Sequence, residues 1–137
     1  MDAKALKEQL ATVELFADLP KRAIATIANS GRAIKHADGH EVIAEGAGAV
    51  GFHLITAGTA KVTSGGAVRR TLGVGDHFGE ISVIDGQPRS ASVEAVEGLE
   101  TFMVHPSAIR TLIDENPKFA RQLLLLLCRR LREAESR

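Results

Sequence analysis

The stretch that decides the fold is residues 75–93, GDHFGEISVIDGQPRSASV. It has a glycine-flanked turn, then a short apolar segment, and then a proline, an arginine and small hydroxyl residues that open a strand. Gly79 permits close approach of a ligand to the backbone. We expect the amides of Ile81 and Ser82 to point toward a negative charge, because they follow the turn at the beginning of a helix. Arg89 completes a predicted anion site, since a guanidinium forms paired hydrogen bonds with phosphate oxygens.

Glu80 indicates which kind of anion the turn accepts. An acid beside a phosphate site is repulsive unless it accepts a hydrogen bond from a neutral group, and a sugar hydroxyl is the natural donor. A 3′,5′-cyclic nucleotide keeps only its ribose 2′-hydroxyl free, so one carboxylate and one arginine read both ends of the fused ring. Ser90 adds a hydroxyl donor. The competing interpretation is an exposed ion pair between Glu80 and Arg89, which would contribute about 0 to 1 kcal/mol to the stability of the fold.

Residues 32–105 are predicted to be all β, because short apolar runs alternate there with glycine-rich turns. Ala91, Val93 and Ala95 alternate with polar residues, as in a strand with one buried face. Strands at this spacing are typical of an antiparallel barrel of the jelly-roll type, the double-stranded β-helix.

Two helices are predicted in residues 1–31. Apolar residues at Leu6, Leu10 and Val13 lie on one face of the first helix, and Asp18 is the predicted cap of the second. Because helices flank the barrel, the fold class is α+β. The 137 residues suit one domain, so we expect residues 1–137 to form a single unit.

Two closing helices are predicted in residues 106–137, and the last has two apolar faces. One face consists of Phe119, Leu123 and Leu126. The other, which we call the leucine stripe, consists of Leu124, Leu127, Cys128 and Leu131. One face is expected to pack on the barrel. The other is buried only if the helix moves to a second position or if a partner packs on it, either a second copy or an effector protein. Three arginines on this helix are predicted to form a solvated face: Arg129, Arg130 and Arg132.

Residues 75–93 closely resemble the phosphate-binding cassette of the cyclic nucleotide-binding domain family, in which FGE and PRxA(S/T)V recur. The matching residues are Phe78, Gly79, Glu80, Pro88, Arg89, Ala91, Ser92 and Val93. The segments LFADLP, EVIAEG and FHLITAGTAKV and the two closing helices follow in the family's order, so the resemblance covers nearly the whole chain. It implies a barrel with its cassette at residues 78–93, N-terminal helices and two C-terminal helices.

The resemblance also implies roles for the site residues. Glu80 takes the ribose hydroxyl and Arg89 the phosphate. Backbone amides take the remaining oxygens, those of Ile81, Ser82 and Ala91. Two apolar residues resemble the lining of the nucleotide's pocket: Val62 and Leu72.

The resemblance leaves the identity of the base open. In regulators that this chain resembles, hydroxyl residues on the final helix read the adenine edge, whereas the corresponding stretch here is Ala134 and Glu135, with Ser136 adjacent. Cyclic AMP is the expected ligand, and cyclic GMP is the alternative. The predicted function is a cytoplasmic sensor that transmits ligand binding through its C-terminal helices. Two further interpretations stay open, a ligand-free dimerisation or interaction module, and the sensor half of a transcription regulator without its DNA-binding domain.

Composition argues against several other classes. Seventeen Lys and Arg balance 17 Asp and Glu, so no overall positive field favours nucleic acid or an anionic membrane as a direct partner. The single cysteine, Cys128, fits a reducing compartment. The N-terminus is charged, and the longest apolar run, residues 123–127, is too short to cross a membrane. The five histidines contain no HxH pair, so we expect no metal site. No Ser/His/Asp or Cys/His arrangement is suggested either, so we expect no catalytic residues and no cofactor.

Overall fold

The computed structural model describes residues 2–43, 51–79 and 91–136. At the N-terminus lie the helices α1 (Ala3–Thr12) and α2 (Lys21–Ser30), with a 3-10 turn, Glu14–Phe16, between them. Asp2 caps α1, because its Oδ1 accepts a hydrogen bond from the Ala5 amide at 2.7 Å.

The start of α2 differs from the sequence prediction. Pro20 occupies the N-cap position, and its carbonyl accepts hydrogen bonds from the amides of Ala23 and Ile24. Asp18 lies two residues too early to cap the helix. Its Oδ2 accepts a hydrogen bond from Nε2 of Gln122 at 3.4 Å instead. The prediction that Asp18 caps the second helix is therefore wrong.

The described residues form six strands: β1 (Gly31–Lys35), β2 (Glu41–Ile43), β3 (Phe52–Ser64), β4 (Ala67–Leu72), β5 (His77–Phe78) and β6 (Ser92–Val104). All pairs are antiparallel, in the order β1-β6-β3-β4, with β2 on β6 and β5 on β3. The ladders between these residues follow an open path, which is consistent with a jelly roll. The chain ends in α3 (Pro106–Glu115) and α4 (Pro117–Glu135), each with proline in its first turn. The predicted α+β fold, an antiparallel β structure between two helical segments, is confirmed.

The long strands β3 and β6 separate two buried apolar clusters. The helical core lies against the helices and comprises Leu10, Val13, Leu15, Phe16, Ala23, Ile24, Ile27, Phe52, Leu54, Phe102, Val104, Ile109, Leu112, Phe119 and Leu123. The barrel core comprises Ile43, Ile55, Ala60, Val62, Leu72, Phe78, Val93, Ala95 and Leu99. Each strand therefore contributes to both cores along its length.

Irregular pairing in the middle of β3 explains how one strand contributes side chains to both cores. Phe52 faces the helical core and Val62 the barrel core, although strict alternation would put both on one face. The register against β6 shifts three times between Ile55 and Ala60, and such a shift exchanges the two faces of a strand. Gly58 lies in this region with φ +77°, and an added Cβ there would come within 2.3 Å of the backbone of Gly98.

Candidate ligand-binding site

The described residues of the predicted site lie at the barrel core. Val62 and Leu72, the predicted pocket residues, are both buried there together with Phe78. Ala91 packs against the same cluster. Gly79 has φ +95°, in the left-handed region that favours glycine. The structure thus brings both ends of the cassette to the two predicted pocket residues.

Strand pairing explains this arrangement. Val62 on β3 lies opposite Val93 on β6, the last residue of the cassette motif. Leu72 on β4 lies opposite Ala60, which in turn lies opposite Ala95 on β6. The strands that carry the pocket residues are therefore linked through hydrogen bonds to the strand that follows the cassette.

The other predicted site residues lie outside the described residues: Glu80, Ile81, Ser82, Arg89 and Ser90. Their roles toward ribose and phosphate stay predictions. What the structure describes is where the chain enters this segment, at Gly79, and where it leaves it, at Ala91.

A polar cavity of about 240 Å³, which was not predicted from the sequence, lies between α4 and the turn before β5. Its charged and titratable lining residues are Glu14, Arg70, Asp76, His77, Arg129, Arg130 and Glu133. Nη2 of Arg130 donates to the carbonyl oxygen of His77 at 3.4 Å, and Nη1 of Arg129 lies 3.8 Å from Oε1 of Glu14. The contact of Arg130 connects the second half of α4 to β5, the strand that leads into the cassette, and that of Arg129 connects it to the 3-10 turn.

The prediction that Arg129, Arg130 and Arg132 form a solvated face is therefore wrong for Arg130. Arg130 is four residues from Leu126 and seven from Leu123, so helical periodicity places it on the packed face of α4. Arg70 is two residues from Leu72 on β4 and shares its face. From these two spacings, the sequence could have predicted that Arg130 and Arg70 lie on packed faces.

Burial alters the acid–base properties of this cavity. It lowers the pKa of His77 to about 4, and the positive charge of Arg130 contributes in the same direction. It also lowers the pKa of Arg130 to about 10, and the charge of Arg70 adds to this effect. At neutral pH the ring of His77 is therefore neutral, and the guanidinium of Arg130 is still charged.

Acid is expected to destabilise the fold through His77. Above its ordinary pKa of 6.5 the ring is neutral in both the folded and the unfolded chain. As the pH falls from 6.5 to 4, only the unfolded chain takes up the proton, so the free energy of unfolding falls by up to about 3 kcal/mol. Urea unfolding at several pH values measures this loss. The variant His77→Gln should lose less stability over the same range, and equal losses in both proteins would contradict the assignment.

The two apolar faces of α4 have different environments. Phe119 and Leu123 are buried in the helical core, and Leu126 packs against it. On the leucine stripe, Leu124 and Leu131 are 64% and 60% exposed. The face predicted from Phe119, Leu123 and Leu126 is therefore the one that packs on the domain. The leucine stripe is exposed except at Leu127, which is half-buried.

Two further findings concern the described residues only. No group of three or more His, Cys, Asp or Glu side chains among them is placed to hold a metal ion. None of the helices in residues 2–43, 51–79 and 91–136 is long and apolar enough to cross a membrane.

The sequence matches a family model described as the cyclic nucleotide-binding domain over residues 33–116. Because this match covers more than half of the chain, the chain belongs to the cyclic nucleotide-binding domain family. It is similar to the CRP-like cAMP-activated global transcriptional regulator of Mycobacterium tuberculosis, with 29% identity over 136 residues. That alignment covers 96% of this chain and 61% of the regulator, so the chain spans about three fifths of that relative's length.

Solved structures share the fold. The catabolite activator protein of Thermus thermophilus matches with a TM-score of 0.75 and 31% identity, covering 88% of this chain and 59% of that one. The sensor domain of the transcriptional regulator DNR from Pseudomonas aeruginosa matches with a TM-score of 0.85 over 98% of this chain and 93% of that one. At 19% identity the second match supports the fold alone.

Proposed function

We propose that this domain is a cytoplasmic sensor that binds cyclic AMP beside the barrel core and does no chemistry of its own. The observation that carries the proposal is that Phe78–Gly79 and Ala91 converge on Val62 and Leu72. A nucleotide bound there has an apolar surface for its base, while the cassette supplies Glu80 for the ribose and Arg89 for the phosphate. The name of the Mycobacterium tuberculosis relative, which describes activation by cAMP, supports the choice of ligand.

The contacts of α4 support a route by which binding is transmitted. Its first half is held by Phe119 and Leu123 in the helical core. Its second half contacts the barrel through Arg130 and the carbonyl of His77, one residue before Phe78. A cassette that moves on binding ligand would displace this contact and change how α4 packs.

The leucine stripe favours a second candidate function for the same domain. Its exposed Leu124 and Leu131 form an apolar surface on which a second copy or an effector protein could pack. The chain would then be an interaction module, with or without ligand, or the sensor half of a longer transcription regulator. The M. tuberculosis relative, of which the chain covers 61%, supports the last of these forms.

Calorimetric titration tests the proposal directly. We expect cyclic AMP to bind with a Kd of roughly 1 μM or below, a free energy of about −8 kcal/mol or more favourable. Cyclic GMP is titrated in parallel to identify the base, and 5′-AMP serves as a control that lacks the fused ring. Absence of binding to both cyclic nucleotides would refute the sensor and leave the interaction module as the leading function.

A further inference from the structure

A polar cluster lies behind the start of the cassette, and it consists of the buried His53 and Thr101 and the half-buried His36 just beyond β1. We infer that this cluster positions the cassette by holding the ring of Phe78. The inference rests on the proposed function, because it assigns a role in cyclic nucleotide binding to residues outside the predicted site.

Thr101 is the centre of this cluster. It is fully buried on β6, the central strand, between β1 and β3. Its Oγ1 lies 2.9 Å from Nε2 of His36, just beyond β1, and 3.0 Å from Nδ1 of His53 on β3. A hydroxyl has one proton and two lone pairs, so it can donate to one ring and accept from the other. One side chain thereby fixes both imidazole rings.

His53 transmits this constraint to the cassette. Its buried ring stacks on Phe78, with the ring centroids 4.8 Å apart and an angle of 6° between the planes. His53 and Phe78 also lie opposite each other where β3 pairs with β5. Phe78 is followed directly by Gly79, with its φ of +95°, and then by Glu80. The orientation of the His53 ring therefore influences the backbone at Phe78 and Gly79, which directly precede Glu80, the residue proposed to bind the ribose.

The shortness of β5 makes the side-chain contact important. This strand has only two residues, His77 and Phe78, so few backbone hydrogen bonds hold it on the sheet. An apolar side chain in place of His53 would fill the space without a fixed orientation, whereas hydrogen bonding to Thr101 defines the plane of the ring. Burying the imidazole of His53 is costly unless it is hydrogen-bonded, which is consistent with a positioning role rather than simple filling of the core.

Replacing Thr101 by valine tests the inference, because valine keeps the shape and removes the hydroxyl. We expect the affinity of Thr101→Val for cyclic AMP to fall roughly tenfold in calorimetry, while Thr101→Ser, which keeps a hydroxyl, stays within about threefold of the wild type. Ile27→Val is the control, since it weakens the helical core far from the cassette and is expected to leave the affinity unchanged. If Thr101→Val does not fold, His36→Ala replaces it, with the same expected direction.

A second measurement uses the ligand-free protein. Hydrogen exchange at the amides of Phe78 and Gly79 should be faster in Thr101→Val than in the wild type and in Ile27→Val. Wild-type protein that binds neither cyclic AMP nor cyclic GMP would refute the proposed function but not this exchange result. Unchanged exchange at these amides, or an affinity that falls equally in Thr101→Val and Ile27→Val, would overturn the positioning role.

Discussion

Replacing Arg89 by alanine is expected to weaken cyclic AMP binding by about thirtyfold or more in calorimetry. Three apolar residues around the end points of the cassette offer no charge to a phosphate: Val62, Leu72 and Phe78. The nearby Arg70 lines the polar cavity beneath α4. A phosphate that leaves water for this surface needs a charge-assisted partner, and removing such a partner costs about 2 to 5 kcal/mol. Thirtyfold corresponds to the lower end of that range.

Arg69→Ala is the matched control for Arg89→Ala. Arg69 is an exposed arginine on β4, next to Arg70 and at the point where the register between β3 and β4 shifts. Its removal is expected to leave the affinity unchanged. Cyclic AMP should also slow hydrogen exchange in residues 118–137 of the wild type and of Arg69→Ala, but not of Arg89→Ala. Equal affinities of both variants would contradict the role of Arg89 and favour an interaction module that is indifferent to nucleotide.

The fold could be predicted from the sequence where a local pattern of residues shows which face of one segment is buried. The alternation of Ala91, Val93 and Ala95 identified a strand with one buried face, and all three lie at the barrel core. Simple alternation does not extend along the whole of β3, because the register shifts near Gly58 move Val62 to the side opposite Phe52. Such irregular pairing depends on the partner strand, which a single segment of sequence does not reveal.

In the candidate site, too, some features could be predicted from the sequence and others could not. A continuous motif predicted the cassette, and strand pairing brings its two ends to Val62 and Leu72. The contact of Thr101 with His53 joins residues 48 positions apart, and that of Arg130 with His77 joins residues 53 positions apart. Neither pair forms a local motif, so only the tertiary structure reveals these two contacts, one behind the cassette and one beneath α4.

Replacing Phe16 by alanine is expected to lower the free energy of unfolding by about 3 to 5 kcal/mol. Phe16 is 1% exposed and lies where the N-terminal helices, β3 and α4 meet. Its ring packs edge-on against Phe52 at 5.7 Å and stacks on Phe119 at 5.8 Å. Alanine removes both aromatic contacts and leaves a cavity that elements from three parts of the chain would have to close. Since the chain has no Trp or Tyr, urea unfolding is followed by far-ultraviolet circular dichroism.

Leu124→Ala is the control for Phe16→Ala, because it truncates a large apolar side chain that is 64% exposed on the leucine stripe. Its effect is expected to stay within about 0.5 kcal/mol if that surface is exposed in solution. If Phe16→Ala lowers the free energy of unfolding by less than about 1 kcal/mol, the side chains between β3 and α4 repack easily around the cavity. A large loss in Leu124→Ala would instead mean that the stripe is covered in solution. The pair of variants therefore distinguishes which face of α4 holds the helix on the domain and which face is available to a partner.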